Sequence, residues 1–375
     1  MTVGEKLASR ENAITLLRLG FALLVVFGHS WELGGFSPDP LQRATGVTFG
    51  EVGLNSFFAL SGYLVTQSWL RSHSGWDYLW RRVLRIFPGF WVCLLVTGLA
   101  LFPFLWAQSH GTTWRGAFSR ADFFSYVWRN ALLRIRQGSI GDLFATQPAS
   151  GVLNGSLWSL FPEFLCYLGV AFAGLCGGFA TQRIRYVWLA ALGLFALHAL
   201  GPELLSFLSG RSHDRAWYFW RLATQGTFFS FGALCLVNAR FLRVSYAILL
   251  AELVILAAAM RFGFYGFLGP LLLPLTLLQA AALFRCAWLD RIGDYSYGVY
   301  IYHYPLQQTL LFLGWGLAGA ASFFELTVAA VLPVAILSWH VVEKPSLRLK
   351  GGLRAQGGIR LDRGAQSGHG VAKDN

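Results

Sequence analysis

Ten stretches of the chain run apolar for about the length of a bilayer crossing, and short polar segments between them carry most of the charge. They fall at roughly 12–33, 51–70, 87–106, 156–178, 186–203, 217–237, 244–260, 263–285, 294–315 and 322–341. About twenty apolar residues in a helix cross the hydrocarbon core. The pattern therefore predicts an all-α fold, a polytopic membrane helical bundle of about ten transmembrane helices. The seventh and eighth runs are divided only by a tight turn at Arg261–Gly263. One connection is long, 107–155, and inside it Asp122–Arg136 has helical spacing of apolar residues with interleaved arginines, which predicts an amphipathic interfacial helix.

The places where this pattern is broken carry the candidate chemistry. The first run, NAITLLRLGFALLVVFGHSW, contains Arg18 and His29. An ionisable group inside a span costs roughly 2.5–3.5 kcal/mol on insertion scales, so it normally faces the protein interior. The two residues are eleven apart, close to three turns, which puts them on one helix face roughly 16 Å apart along the axis. Arg18 could instead snorkel to the inner interface, and His29 could be a core histidine bonded to a backbone carbonyl.

Further along, NSFFALSGYL (55–64) sets small Ser61 and Gly62 after two aromatics, a notch for a ligand or for helix packing. WRRVLRIFPGFW (80–91) places Arg82 and Arg85 one turn apart, a pair suited to phosphate or to anchoring the inner side of the bundle. GSLWSLFPEF (155–164) holds Glu163 just after Pro162 in an apolar run, either lining a cavity or forming a structural ion pair, for example with Arg18. DYSYGVYIYHYP (294–305) is a tyrosine-rich face in which His303 is either a second imidazole of the cavity or a hydrogen-bonded histidine of an aromatic belt. In VEKP (342–345) the proline predicts the end of the last helix.

Composition agrees with a membrane location. Of 375 residues 55% are hydrophobic and 13% charged, against about 25% charged in soluble domains. The net charge of +12 lies in short loops between apolar runs, which speaks for membrane lipid as a partner and against nucleic acid. Lysine and arginine concentrate in alternate loops; with an even number of spans this places both termini in the cytoplasm. Arg18 interrupts the first run, and Ser30-Trp31-Glu32 is a poor cleavage site, so the segment does not read as a signal peptide. Cys93, Cys166, Cys176, Cys235 and Cys286 lie in apolar segments without ligand spacing, so no metal site and no disulfide framework is expected. The chain divides into a transmembrane domain, 1–346, and a Gly-rich basic tail, 347–375, expected to be disordered and cytoplasmic.

Taken together, Arg18 then His29 in the first run, FFALSGYL, RRVLRIFP, LWSLFPE, SYGVYIYH and the closing EKP resemble the membrane-bound acyltransferase 3 family, whose members O-acylate bacterial surface polysaccharides, lipopolysaccharide and related glycolipids. The resemblance spans residues 10–346. It implies His29 as the essential histidine, Arg18 as its companion, Glu163 as the acid after the Trp-x-Leu element, and Arg82 with Arg85 on the acyl-CoA side. Pro162 before Glu163 departs from the pattern, and the fused periplasmic esterase-like domain of some members is not expected here. The implied reaction moves an acyl group, most often acetyl, from cytosolic acyl-CoA to a hydroxyl of a surface polysaccharide or glycolipid across the bacterial inner membrane. Acyl-CoA is then a co-substrate, and no bound cofactor is expected. His29 would be the general base; Ser61, the backbone near Gly62 and Tyr297 would be candidates for stabilising the oxyanion, and Ser61, Tyr297 and His303 would line the substrate. From the residues alone the alternative is a polytopic transporter or flippase for a sugar-linked or lipid-linked substrate.

Overall fold

The computed structural model describes residues 1–8, 12–119, 122–180, 182–210, 212–315 and 318–351. Among these there is no strand; the only extended pairing is an isolated bridge between Thr2 and Arg243. Each of the ten apolar runs forms a helix: α1 (Ile14–Leu33), α2 (Phe49–Leu70), α3 (Gly75–Val96), α4 (Leu160–Leu175), α5 (Ile184–Ala199), α6 (His213–Val237), α7 (Tyr246–Arg261), α8 (Tyr265–Leu283), α9 (Ser296–Phe312) and α10 (Ala320–Ser338). α3 continues through a π turn, Thr97–Leu101, into Phe102–Ser109.

The expected count of about ten spans is not confirmed. By length and apolarity five helical segments qualify, or six if Ile184–Ala199 and Gly201–Ser209, bent by 96°, form one span. The difference has a physical cause. α2 and α6 are long enough, but carry Glu51, Asn55, Gln67, Arg221 and Gln225; of these Asn55 and Gln225 are buried among helices, where Asn55 Nδ2 donates to the Tyr265 hydroxyl (3.2 Å) and Gln225 Nε2 to Asn55 Oδ1 (3.3 Å). α7 and α9 have 16 and 17 residues, short of about twenty.

α2 and α6 approach backbone to backbone. A Cβ built on Gly62 would lie 1.9 Å from the Phe229 carbonyl oxygen, and one on Gly232 would lie 1.9 Å from that of Ala59. The Gly62 notch is thus a packing device. α1 packs against α2, α9 and α10. Its register on α9 is set by Gln307, whose Nε2 donates to Ser30 Oγ (2.9 Å) and Val26 O (3.2 Å).

Two local expectations are corrected. In the long connection the helix spans only Asp122–Asn130, because the buried Asn130 side chain accepts from Arg136 N and Gln137 N and donates to Gln137 O, turning the chain back. Pro345 does not end the last helix. A π turn, Trp339–Glu343, leads into helical Lys344–Arg348, where the proline occupies the first turn and removes no needed donor. Residues 349–351 add one 3-10 turn; 352–375, the rest of the expected tail, lie outside the described residues.

Candidate active site

Two cavities open on opposite stretches of α1 and share Leu54 and Tyr300 as wall residues. The first, about 280 Å³, is lined by Arg18, Ser61, Arg82, Arg85, Glu163, Tyr167, Asp294, Tyr297 and Lys350. The second, about 640 Å³, is lined by His29, Glu32, Glu51, Ser156, Trp158, Trp217, Trp220 and Arg221. Arg18 and His29 therefore serve different chambers that meet at Tyr300. The Tyr300 hydroxyl is anchored on Ser159 Oγ (2.5 Å) and Ser156 O (3.1 Å).

The first chamber is organised by Asp294. Its Oδ2 lies 2.5 Å from Arg85 Nη2 and 3.2 Å from Arg18 Nε, while Oδ1 accepts from Ser296 Oγ (2.5 Å). One carboxylate thus holds two guanidinium groups from different helices. Arg82 has no carboxylate. It rests between the Tyr78 and Tyr167 rings (5.9 and 5.8 Å), donates to Ser68 Oγ (3.1 Å), and its Nε is buried without a partner. Glu163 accepts from the Tyr167 hydroxyl (2.5 Å) and from Ser61 Oγ (3.4 Å), and pairs with no arginine among the described residues. Replacing Asp294 by asparagine leaves two buried cations facing each other. The expected outcome is a loss of about 3–5 kcal/mol of stability, read as a lowered thermal transition of the detergent-purified protein, while the isosteric side chain keeps its bond from Ser296.

At the second chamber the decisive contact is between two histidines. His29 Nδ1 lies 2.8 Å from His303 Nε2, with 15° between the ring planes. His303 is fully buried, and its Nδ1 lies 3.1 Å from the carbonyl oxygen of Val299, one turn back on α9. A carbonyl only accepts, so His303 Nδ1 carries the hydrogen. When both rings are neutral His303 Nε2 is then the acceptor, His29 Nδ1 the donor, and His29 Nε2 is left with a free lone pair. His29 itself is partly exposed, to the chamber. The Ser30–Gln307 bonds hold the two helices in the register that makes this contact.

A family profile described as an acyltransferase domain matches residues 11–340. The chain belongs to the acyltransferase 3 family. It is similar to an O-acetyl transferase of Shigella phage Sf6, 30% identical over 352 residues covering 89% of this chain and 96% of the relative. It is also similar to nodulation protein 10 of Rhizobium leguminosarum bv. viciae, 27% identical over 373 residues covering 93% and 96%. No solved structure matches. The protein is thus an acyltransferase, and its apolar helices and family make it a multi-pass membrane O-acyltransferase; nothing favours the transporter alternative.

Within this acyltransferase fold the sequence-predicted residues divide between the chambers. Arg18, Arg82, Arg85, Ser61, Glu163 and Tyr297 share the first, and His29 stands in the second. Three assignments change. His303 lines neither chamber; it holds His29. The Tyr297 hydroxyl already donates to Ile86 O (2.7 Å), and with Ser61 it lies in the chamber away from His29, so neither is placed to meet an oxyanion there. Arg18 pairs with Asp294 rather than with Glu163.

Sequence reasoning also missed residues. Asp294 stood in a quoted motif without a role. Arg221 in α6 lies with its Cζ 3.8 Å from the Trp158 ring and 4.6 Å from the Trp217 ring, with no hydrogen bond or ion pair among the described residues, so its N–H groups face the chamber. The signal for it was the one used for Arg18, an arginine inside an apolar run, reinforced here by Trp217 one turn earlier.

Proposed function

We propose that the protein transfers an acyl group, acetyl in the simplest case, from acyl-CoA bound in the Arg82–Arg85 chamber to a sugar hydroxyl of a polysaccharide or glycolipid bound in the His29 chamber. The observation that carries this is the pair of abutting chambers, one cationic and one aromatic and acidic, with His29 on the second and the Leu54–Tyr300 wall between them. Guanidinium groups suit phosphate. The Trp158, Trp217 and Trp220 faces with the Glu32 and Glu51 carboxylates suit the C–H faces and hydroxyls of a sugar.

The reaction follows from the tautomer. His29 Nε2 takes the proton of the acceptor hydroxyl as its oxygen attacks the thioester carbonyl. The C–O bond forms, the carbonyl becomes an oxyanion, and Arg221, the unpaired cation of that chamber, supplies positive charge near it. Collapse breaks the C–S bond, and the proton on His29 passes to the leaving sulfur. His303 accepts from His29 Nδ1–H throughout and keeps Nε2 aimed at the chamber. The positive-inside rule and the arginine chamber support a donor side that faces the cytosol. Residues 1–8, which bond to 239–242, and residues 344–351 lie at that same end.

The test is transfer of radiolabelled acetyl from acetyl-CoA to purified bacterial glycan by the detergent-solubilised protein. Labelled glycan with stoichiometric free thiol is expected. Arg82→Ala and Arg85→Ala are each expected to weaken CoA binding by about tenfold or more, since each removes a charge-assisted contact worth about 1.5–3 kcal/mol. CoA affinity unchanged in both variants would remove the donor site from this chamber.

A further inference from the structure

The donor reading leaves one cation unexplained. Lys350 lies beyond α10, in the 3-10 turn Leu349–Gly351, which packs on α3. It lines the same chamber as Arg18, Arg82 and Arg85, and makes no hydrogen bond or ion pair among the described residues. The charged and titratable groups around it come from several elements. They are Arg18 on α1, Arg82 and Arg85 on α3, Glu163 and Tyr167 on α4, Asp294 with Tyr297 at the start of α9, and, behind Arg85, Glu343 of the π turn. The charge of Arg81 on α3 also reaches it, but that side chain is committed to Asp77 (2.8 Å). Of the carboxylates, Asp294 is taken by Arg18 and Arg85, Glu163 by hydroxyl groups, and Glu343 accepts from the Ser338 hydroxyl (3.1 Å). Arg82 and Lys350 thus face one cavity with no anion of their own. Like charges converge there at a cost that a bound anion relieves.

We propose that Lys350 completes a polyanion site with Arg82 and Arg85, so that the segment after the last long helix closes over the phosphates of the donor. This rests on the donor reading above and adds to it a third ligand and a proton linkage. Burial, with the nearby Arg82, Arg85 and Arg81 charges, lowers the Lys350 ammonium to about 7. Phosphate beside it favours the charged form and raises that value. Donor binding near neutrality therefore takes up a proton. Affinity is highest below pH 7 and falls as the pH rises through it, where the free lysine is neutral and must be charged on binding.

Titration calorimetry of coenzyme A into the full-length protein, in HEPES and in Tris at pH 7, reads both affinity and proton uptake. Wild type is expected to take up about half a proton per CoA, as a group half-charged at pH 7 becomes fully charged. Lys350→Met is expected to bind about tenfold more weakly with no uptake. Lys350→Arg, always charged, is expected to keep the affinity and lose the uptake, and it shows that the turn still folds. Wild-type affinity and uptake in Lys350→Met would overturn the proposal. If Arg82→Ala weakens CoA binding while Lys350→Met keeps the wild-type affinity and uptake, this proposal alone falls. If CoA still binds to Arg82→Ala and Arg85→Ala as to wild type, the donor reading falls instead.

Discussion

His29→Ala is expected to abolish detectable acyl transfer while the protein remains folded and inserted. His29 is the side chain that presents a free imidazole nitrogen to the aromatic chamber, and the orientation of that nitrogen is fixed by the bond to His303. A positioned general base contributes about 10²–10⁴-fold in rate. Glu32 and Glu51 line the same cavity, but neither is hydrogen-bonded to His29 or His303, so neither inherits the oriented ring nitrogen. The expected result is a loss of at least about 10²-fold in kcat with CoA affinity near the wild-type value, because Arg82, Arg85 and Asp294 lie in the other chamber. Labelled-acetyl transfer and CoA calorimetry on the same preparation read both quantities.

His303→Leu is expected to have the second-largest effect. Leucine occupies a similar volume but gives His29 Nδ1–H no acceptor. An orphaned buried donor costs about 1–3 kcal/mol, and the imidazole can turn or change tautomer, losing the free Nε2. A comparable loss of the orienting partner in a serine-protease triad lowers kcat by about 10⁴. Here the partner is neutral and does not stabilise an imidazolium by charge, so the expected loss is smaller, on the order of 10² in kcat, with the donor KM changed by less than about twofold. His303→Gln, whose amide oxygen can accept from His29, recovers part of the rate. A residue that merely filled space would show neither the split between kcat and KM nor the recovery with glutamine.

The helices were legible because apolar runs of bilayer length leave little alternative. Their number as spans was not, since α2, α6 and α9 carry polar groups that other helices satisfy, and a hydropathy pattern cannot tell a buried amide from an exposed one. Arg18 and His29 stand out in the sequence because each is an ionisable group where an apolar residue is expected, and Arg82 with Arg85 because they lie one turn apart. What could not be read was pairing across long sequence separations. Asp294 holds Arg18 from 276 residues away and His303 holds His29 from 274, as their numbers show. No local pattern encodes which buried carboxylate meets which guanidinium. That choice follows from helix register, set by contacts such as Gln307 on Ser30 and by the backbone approach at Gly62. Arg221 and Lys350 are not legible for another reason: one reads as a stray charge within a span, the other as one of the basic residues of the tail.

The central claim is that a thioester held by the arginine chamber reaches His29 past the Leu54–Tyr300 wall. An experimental structure with a non-cleavable acyl-CoA analogue tests it most directly. The account predicts the phosphates on Arg82 and Arg85, the pantetheine arm passing Tyr300, and the acyl carbon within about 3.5 Å of where a hydroxyl bonded to His29 Nε2 would lie. An acyl group lodged away from His29, or phosphates bound outside the arginine chamber, would contradict it.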